Sequence, residues 1–505
     1  MKGLNRNIIR ALLIGSYCML IALVVYGISA LFSYLNTGAD RSSMLHTEIK
    51  KENLYQPKIN WAPINNEGRK IDAQTLKTLE ADYLNACYVK HIAYKTNTKT
   101  GLKDYYTDSA RKNIEEIIDL NTDENIHIEA TTLSHNPVLD FFSEDGQLAV
   151  ITDKDVIEFK RVFKDEKLIL ETTEKSTYKL VFLLEDGFWR IRHMVAVTSE
   201  SHKLKQEVSR NLGLHIKGIN YYPKNTPWNM FGEAFDNNVI SNDFKIIKNA
   251  GLNSIRIFIP YEDFGKESVL PEKLSKLKQV LDTAHKHNLK AIITLFDFYG
   301  DYSILDWTLN RKHAETVVST FKNHEAIAAW DIKNEPNLDF EPRGKKNVLN
   351  WLQQMLQHVK SIDQTHPVTI GWSNAESATL LKDEVDFVSF HYYQDLDNLE
   401  ASIKQLKKEI PNTTIVMQEF GMSSDFGLWN PLGNSEKSQA TYYKKAQEII
   451  AEYDLQYMSW TLYDFKNIPT KVTGSLPWRK NAQKHYGFID SDGNKKMAFD
   501  YISKR

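Results

Sequence analysis

The feature that most constrains the fold is a regular alternation of apolar runs and amphipathic helical patterns along the second half of this 505-residue chain. Between most of the runs, apolar residues recur every three or four positions, which is typical of helices with one buried face. The eight apolar runs are Leu214–Tyr221, Asn253–Ile259, Lys290–Phe296, Ile327–Ile332, Pro367–Trp372, Val385–Phe390, Thr413–Gln418 and Gln456–Leu462. Eight strand–helix units over residues 213–505 match the count and size of a (β/α)8, or TIM, barrel.

A doubly wound open α/β sheet would show a similar alternation. That fold class usually carries a glycine-rich phosphate-binding loop after its first strand. No such loop follows the run that ends at Tyr221. The barrel is therefore the better-supported fold for residues 213–505, and the charged residues 198–212 are expected to connect it to the preceding domain.

Residues 71–197 show a different order of elements. A helical pattern with Leu76, Leu79 and Tyr83 on one face comes first, and several strand-like runs follow it. The last two runs are joined by the turn residues 185–187, so an antiparallel hairpin is expected. Helices followed by a bent antiparallel sheet predict an α+β domain. This order resembles the cone-shaped nuclear-transport-factor-2-like superfamily. Some members of that superfamily use the cone as an enzyme pocket and many only bind or assemble, so the resemblance allows a protein partner for this domain.

The N-terminal residues 1–39 carry positive charge only at their start. Lys2, Arg6 and Arg10 precede an uncharged, mostly apolar stretch that ends before Asp40. A stretch of this length can cross a bilayer as one helix, and the charge bias predicts a cytoplasmic N-terminus. We therefore expect a single-pass membrane protein whose bulk is periplasmic or extracytoplasmic. A cleaved signal peptide is the alternative, although no A-x-A cleavage site is present.

The remaining composition excludes several function classes. Residues 40–70 are polar with scattered prolines, so they are expected to form a linker. The net charge of −2 gives no concentrated basic face for nucleic acid. The two cysteines, Cys18 and Cys87, imply no disulfide framework. His285 and His287 stand two apart in a helical pattern and point away from each other, so they make a poor metal pair. No metal-ligand spacing is visible elsewhere in the sequence, so neither a metal site nor a cofactor is expected.

Two glutamates stand at the ends of apolar runs in the predicted barrel. Glu335 lies in the segment Trp330–Pro336 and Glu419 in the segment Ile415–Gly421. A carboxylate that ends a buried strand is costly unless it is paired or used. Strand ends of one polarity meet on a single face of a barrel, and the count places these glutamates on strands four and seven. Two carboxylates held across a sugar ring can break a glycosidic bond.

The motifs Asn334–Pro336 and Gln418–Gly421 on this frame resemble those of clan A glycoside hydrolases, above all the family 5 cellulases and mannanases. The resemblance covers about residues 214–502. It implies that Glu335 is the acid/base and Glu419 the nucleophile of a retaining mechanism. The expected activity is that of an endo-β-glucanase or β-mannanase on a β-linked polysaccharide or oligosaccharide.

The resemblance extends to residues around the two glutamates. Arg256 matches an arginine that supports the nucleophile, and Asn334 matches an asparagine that bonds the sugar 2-hydroxyl. His391 and Tyr393 match a His-x-Tyr pair, with Tyr393 near the nucleophile. Trp460 matches a tryptophan that lies beneath the sugar to be cleaved.

Two further strand-end residues have open roles. Tyr222, after strand one, is expected either to contact sugar or to pack at the rim. Asp297 ends strand three, where members of the clan often carry a histidine, so the resemblance does not assign it a role. Tryptophans in or beside the loops of the expected active face are candidates for sugar stacking or loop core: Trp228, Trp307, Trp372, Trp429 and Trp478.

The retaining mechanism places opposite demands on the two glutamates. It needs carboxyls about 5–5.5 Å apart, one protonated and one ionised. Arg256 and the Tyr393 hydroxyl would keep Glu419 ionised, whereas Glu335 would need drier surroundings beside a negative charge. Two other interpretations stay open. One is a membrane-anchored polysaccharide-binding or assembly component of a glycan synthesis or export system, and the other is a transglycosylase.

Overall fold

The computed structural model of the protein describes part of the chain in two domains. The residues described are 15–17, 19–21, 23–28, 55–201, 215–426, 430, 433–473 and 477–503. Of the predicted membrane anchor, only three short helical stretches within residues 15–28 are included, and the rest lies outside the described residues. Among the described residues, no helix combines the length and the apolar character required to span a membrane.

The N-terminal domain is an α+β unit with helices packed against a long antiparallel sheet. Its elements are β1 (Lys58–Ile59), β2 (Glu67–Gly68), α1 (Ala73–Thr96), α2 (Leu102–Tyr105), α3 (Asp108–Asp123), β3 (Ile126–Phe142), β4 (Leu148–Lys164), β5 (Lys167–Glu185) and β6 (Phe188–Ser201). The strand order is β1-β3-β4-β5-β6, with β2 also paired to β3. Leu79 and Tyr83 of α1 are fully buried against this sheet, as the periodicity predicts.

Part of the predicted linker belongs to this sheet. Lys58 of β1 pairs with Ser134, and Glu67 of β2 pairs with Phe141, both in parallel with β3. The prediction of a linker up to residue 70 is therefore wrong for these two short strands. Two-residue strands are too short to show a period, and their pairing depends on a partner far along the chain.

The second domain is a closed barrel of eight parallel strands, which confirms the predicted (β/α)8 fold. Its elements are β7 (Lys217–Asn220), α4 (Asn237–Asn249), β8 (Ser254–Pro260), α5 (Pro271–Lys286), β9 (Lys290–Asp297), α6 (Trp307–Phe321), β10 (Ile327–Asn334), α7 (Phe340–Arg343), α8 (Lys345–Ile362), β11 (Val368–Trp372), β12 (Val388–Tyr392), α9 (Leu399–Glu409), β13 (Ile415–Phe420), α10 (Glu436–Glu452), β14 (Gln456–Ser459), α11 (Thr470–Thr473) and α12 (Pro477–Lys484). Strands β7 to β14 pair in chain order, and β14 closes onto β7.

Burial explains why the barrel strands read as continuous apolar runs. Every residue of β8, from Ser254 to Pro260, is buried, because helices cover the outside and side chains fill the inside. The helices begin at residues suited to that position. The Asp236 side chain accepts backbone N–H bonds at the start of α4, Ser435 does so for α10, and Pro271 opens α5.

The two domains share a packed interface. Phe159 of β4 lies against Trp307 of α6 with ring centroids 4.5 Å apart. Polar contacts surround this pair, including the hydrogen bond from Arg161 to the Asn347 amide oxygen at 2.6 Å. The sheet of the N-terminal domain therefore packs against α6 and α8 of the barrel. Trp307 is consequently part of the domain interface.

Candidate active site

The two predicted glutamates meet at one end of the barrel. Glu335 follows β10, the fourth barrel strand, and Glu419 lies in β13, the seventh. Their facing carboxylate oxygens lie within 4.8 Å of each other. Glu335 has a left-handed backbone with φ of 47°, and its N–H donates to the Gly371 carbonyl at 2.7 Å. This conformation is uncommon for a non-glycine residue and turns the chain sharply at the strand end.

Glu419 is buried and receives hydrogen bonds on both carboxylate oxygens. The Tyr393 hydroxyl donates to Oε1 at 2.6 Å, and Arg256 Nη1 donates to Oε2 at 3.2 Å. Only 8% of the Glu419 surface is exposed, so these donors replace most of the water that a carboxylate would otherwise bind. The arrangement fixes the direction in which the carboxylate faces Glu335.

Arg256 is fully buried and divides its guanidinium between two carboxylates. Its Nη2 and Nε donate to Asp331 Oδ2 at 2.6 and 3.0 Å, while Nη1 reaches Glu419. Nη2 also donates to the Asn334 amide oxygen at 2.9 Å, and Nη1 donates to Asn220 at 3.1 Å. Sequence reasoning missed Asp331, although an aspartate inside an apolar run is itself a signal of a buried partner.

Glu335 has a different environment from Glu419. About a quarter of its side chain (24%) is exposed, and its Oε1 lies 2.8 Å from Nδ1 of the fully buried His391. The same nitrogen is 3.8 Å from Glu419 Oε2. His391 therefore stands between the two carboxylates, hydrogen-bonded to Glu335.

Gly371 on β11 makes this close packing feasible. A β-carbon there would lie 2.7 Å from Gln418 Oε1, 2.8 Å from Arg256 Nη2 and 3.2 Å from His391 Nε2. Any side chain at this position would displace groups that hold the two glutamates. The need for glycine at this point is invisible in the sequence, because it comes from residues on three other strands.

The two glutamates titrate as a pair because they are so close. Burial raises the pKa of Glu419, and the Glu335 charge adds to that effect against the lowering influence of His391 and Arg256. Burial acts in the same direction on Glu335, but His391, Arg256 and Lys333 outweigh it and lower the pKa of Glu335. In the protein without a bound glycan, these directions give Glu419 the higher pKa of the two, whereas the retaining mechanism needs the proton on Glu335 when substrate is bound.

The glutamates open onto a cavity of about 570 Å³ with an aromatic wall. Trp460, Tyr222, Trp228 and Phe258 all line it. The ring of Trp460 lies 6.0 Å from that of Trp228 and 6.3 Å from those of Tyr222 and Phe258. Flat apolar faces of this kind match the C–H faces of a sugar ring, and the cavity can hold a short glycan.

Charged residues line the same cavity. Asp297 ends β9 and accepts a long hydrogen bond of 3.5 Å from Tyr222. Lys333 is buried, lines the cavity, and has its ammonium 3.4 Å from the Asp339 carboxylate. Sequence reasoning missed Lys333 and Asp339, which carry no distinctive spacing. They offer charged donors and acceptors for sugar hydroxyls.

The spacing of Glu335, His391 and Glu419 would also suit a divalent cation, since each offers one ligand atom within 4.8 Å of the others. The donors already bound to Glu419 argue against that interpretation. Arg256 supplies positive charge to one carboxylate oxygen, and the Tyr393 hydroxyl occupies the other. The chemistry of this donor set is that of paired carboxylates.

The structure brings together all nine residues that the sequence singled out for the site. Arg256, Asn334, His391 and Tyr393 belong to the hydrogen-bonded network, while Trp460, Tyr222 and Asp297 line the cavity. The tryptophans predicted for the loops of the active face lie in different surroundings. Trp228 lines the cavity, Trp372 is buried, and the side chains of Trp429 and Trp478 lie outside the described residues.

Comparison with known proteins gives the barrel a family. Residues 216–466 match the family model for cellulase, glycosyl hydrolase family 5. Rat β-glucuronidase is 25% identical over 318 residues, which cover 58% of this chain and 44% of that protein. Mannan endo-1,4-β-mannosidase A of Emericella nidulans is 27% identical over 205 residues, covering 32% of this chain and 52% of that protein. The chain thus spans about half of the length of these relatives.

One solved structure that aligns with this chain is the exo-β-1,4-mannosidase Op5Man5 from Opitutaceae bacterium strain TAV5. It aligns with a TM-score of 0.47 at 17% identity, covering 57% of this chain and 58% of that one. The match to the family model covers the strands that carry Arg256, Glu335 and Glu419. The barrel of this chain therefore matches glycosyl hydrolase family 5, the family that its motifs at Glu335 and Glu419 resemble.

Proposed function

We propose that this chain is a retaining glycoside hydrolase that cleaves β-linked glycans. The observation that carries the proposal is the approach of the Glu335 and Glu419 carboxylates to within 4.8 Å at the mouth of the barrel. Retaining enzymes hold their carboxyls about 5–5.5 Å apart, whereas inverting enzymes need about 6.5–9.5 Å to admit a water molecule. The short separation supports direct attack on the sugar.

Glu419 is the proposed nucleophile. Its carboxylate attacks the anomeric carbon, an ester bond forms, and the glycosidic C–O bond breaks. Glu335 gives its proton to the departing oxygen, so that the leaving sugar departs as a neutral alcohol. Tyr393 and Arg256 hold the attacking carboxylate in place, at 2.6 and 3.2 Å.

Hydrolysis of the ester completes the cycle. Glu335, now ionised, removes a proton from water, and the resulting hydroxide equivalent attacks the same anomeric carbon. The ester bond to Glu419 breaks, and the sugar is released with its original configuration. Asn334, fixed by Arg256 at 2.9 Å, is positioned to bond a sugar hydroxyl during both steps.

The proton must reach Glu335 before the first step. His391 lies between the carboxylates, with Nδ1 2.8 Å from Glu335 and 3.8 Å from Glu419. A bound sugar covers the exposed side of Glu335 and removes its remaining water, which raises the pKa of that carboxyl. Substrate binding therefore favours the protonated form of Glu335 that the first step needs.

Mannan and β-glucan are the proposed substrates. The relatives named as mannan endo-1,4-β-mannosidase and β-glucuronidase make mannan the first polymer to test and a β-glucuronide the main competing possibility. Incubation with mannan, glucan and xylan, followed by analysis of product lengths, separates endo from exo action. Binding without product on every polymer would favour the binding-component interpretation.

Trapping the intermediate tests the mechanism directly. An activated 2-deoxy-2-fluoro β-glycoside should form a stable ester with wild-type protein, and peptide mapping by mass spectrometry should place the added mass on Glu419. Labelling of any other residue would contradict the assignment of the nucleophile. The Glu419→Gln variant serves as the control, because it should take up no label.

We also propose that the barrel is held outside the cytoplasm by the N-terminal segment. The proposal is supported by the basic residues before the apolar stretch and by the absence of charge up to Asp40. The N-terminal α+β domain would then act as a spacer and as a docking module for a protein partner. Protease treatment of spheroplasts should digest the barrel while leaving a small membrane-bound fragment; full protection of the barrel would contradict this topology.

A further inference from the structure

A second cavity lies between the two domains. It has a volume of about 360 Å³ and is bounded by residues 55–59 and α1 of the N-terminal domain and by α6 and α8 of the barrel. No described residue lines both this cavity and the one that contains Glu335 and Glu419. The interdomain cavity is therefore a separate place in which a ligand could be held.

Arg311 of α6 brings a positive charge into the interdomain cavity. Its guanidinium forms no hydrogen bond or ion pair with the residues that the structure describes. Burial lowers the pKa of Arg311 to about 10, and the nearby Glu315 only partly opposes this effect. Glu315 is itself ion-paired with Lys58 at 2.6 Å. Arg311 is only partly exposed, and a cation in that position without an ion-pair partner would be stabilised by a bound anion.

The other charged groups of the cavity do not supply that anion. Lys312 donates to the neutral Gln56 side chain at 2.7 Å, and Glu80 accepts from the Trp61 indole at 2.7 Å. Lys58, Arg311 and Lys312 together outnumber the carboxylates of Glu80 and Glu315 among the lining residues. The cavity thus has an excess of positive charge centred on Arg311.

His358 of α8 has a buried ring nitrogen that lacks a hydrogen-bond partner among the described residues. Its Nε2 lies 2.9 Å from the Arg311 carbonyl, which can only accept, so Nε2 carries the proton. Its Nδ1 is then an acceptor, buried and without a hydrogen-bond partner among the described residues. Burial and the charges of Arg311 and Lys58 hold the pKa of His358 well below its usual value, so the ring stays neutral. An acceptor of this kind calls for a hydroxyl donor.

We propose that the interdomain cavity binds a hydroxylated carboxylate of the kind that a uronic acid presents. The carboxylate would pair with Arg311 and a hydroxyl would donate to His358, while Leu84 and Leu133 offer an apolar wall to the sugar ring. A simple anion would pair only with Arg311, and a neutral sugar would donate a hydrogen bond only to His358. Because both domains line the cavity, the bound ligand would also strengthen their docking.

Calorimetric titration of the full-length protein with D-glucuronate tests this proposal. D-glucuronate should bind, while D-glucose and acetate should bind at least tenfold more weakly. Arg311→Met should weaken glucuronate binding at least tenfold, and its thermal melting curve reports whether it folds. Arg111→Met is the matched control, because Arg111 forms ion pairs with Asp108 and Glu115 outside this cavity. No binding of glucuronate, equal binding of acetate, or an unaffected Arg311→Met variant would overturn the proposal.

A second measurement needs only the wild-type protein and locates the ligand. Phenylglyoxal modifies accessible arginines, and mass spectrometry gives the extent of modification at each position. Glucuronate should protect Arg311 severalfold and leave Arg111 unchanged. Equal modification of Arg311 with and without glucuronate would place the ligand elsewhere, including in the catalytic cavity, and would overturn the proposal.

Discussion

Both domains bury carboxylates, but in very different states. Asp153 in the N-terminal domain is fully buried and accepts hydrogen bonds from the Tyr83 hydroxyl, His135 Nδ1 and the Asn136 N–H at 2.6, 2.6 and 2.7 Å. Glu335 and Glu419 of the barrel instead face each other within 4.8 Å and open onto a cavity of about 570 Å³.

Burial alone therefore does not mark a carboxylate as reactive. The oxygens of Asp153 are occupied by hydrogen bonds from neighbouring residues, and these bonds hold α1, β3 and β4 together. The barrel glutamates shift each other's pKa and remain open to the cavity, so they are available for chemistry. Substitutions in the two places should therefore separate activity from stability.

The largest expected effect is the loss of turnover in Glu419→Gln. The amide cannot attack the anomeric carbon, so kcat on a nitrophenyl β-glycoside should fall on the order of 10⁴-fold or more. Asp153→Asn makes the same chemical change in the other domain and should leave kcat unchanged. Circular dichroism checks that both variants fold. Substantial residual turnover by Glu419→Gln would remove it from the role of nucleophile.

The next effect is a change in leaving-group and pH dependence for Glu335→Gln. Without its proton donor, the protein should lose about 10²–10⁴-fold in kcat/KM on poor leaving groups and much less on activated ones. Wild-type kcat/KM should fall as rising pH strips the proton from the glutamate pair. That alkaline limb should vanish in the variant, because an amide does not titrate. An unchanged alkaline limb would assign the proton to another group.

Asp153→Ala should reverse the pattern and reduce stability without touching catalysis. It leaves the Tyr83 hydroxyl, the His135 ring and the Asn136 N–H without their buried acceptor. The cost should be about 3 kcal/mol in the free energy of unfolding of the N-terminal domain. Urea unfolding followed by fluorescence measures it, and kcat/KM of the same preparation should match the wild type. Loss of activity with unchanged stability would assign Asp153 a catalytic role.

The barrel was predictable because its signals are local in sequence. Each strand is a buried apolar run, and Glu335 and Glu419 each sit in a short motif at a strand end. Counting strands was enough to place the two glutamates on strands four and seven, and the barrel closure brought them together. Arg256 and His391 followed from the resemblance to family 5 glycoside hydrolases.

What the sequence did not provide depends on contacts between distant segments. The division of Arg256 between Asp331 and Glu419, and the lack of space at Gly371, arise from several strands meeting. The difference in pKa between the two glutamates is the sum of opposing effects from burial, His391 and Arg256, which no motif encodes. Trp307 likewise belongs to the domain interface because Phe159 covers it.

The smallest of these effects is expected for Tyr393, a hydrogen-bond donor to Glu419. Its hydroxyl donates to Glu419 at 2.6 Å, and burial together with the Glu419 charge raises the pKa of Tyr393, so it stays protonated. Tyr393→Phe should lower kcat/KM about tenfold to a hundredfold, as loss of a hydrogen bond to a charged group costs roughly 1.5–3 kcal/mol. Because the lost donor favoured the ionised form, the pKa of Glu419 should rise and the acidic limb of the pH profile should move to higher pH.

The adjacent residue supplies the matched control for Tyr393→Phe. Tyr392 is buried, and its hydroxyl donates to the Asp395 carbonyl at 2.7 Å. Tyr392→Phe deletes the hydroxyl of the preceding residue, the last of β12, and this hydroxyl bonds neither glutamate. It should therefore lower stability slightly and leave the acidic limb in place. Equal shifts of the acidic limb in both variants would show that the effect comes from general loosening of the strand and not from the bond to Glu419.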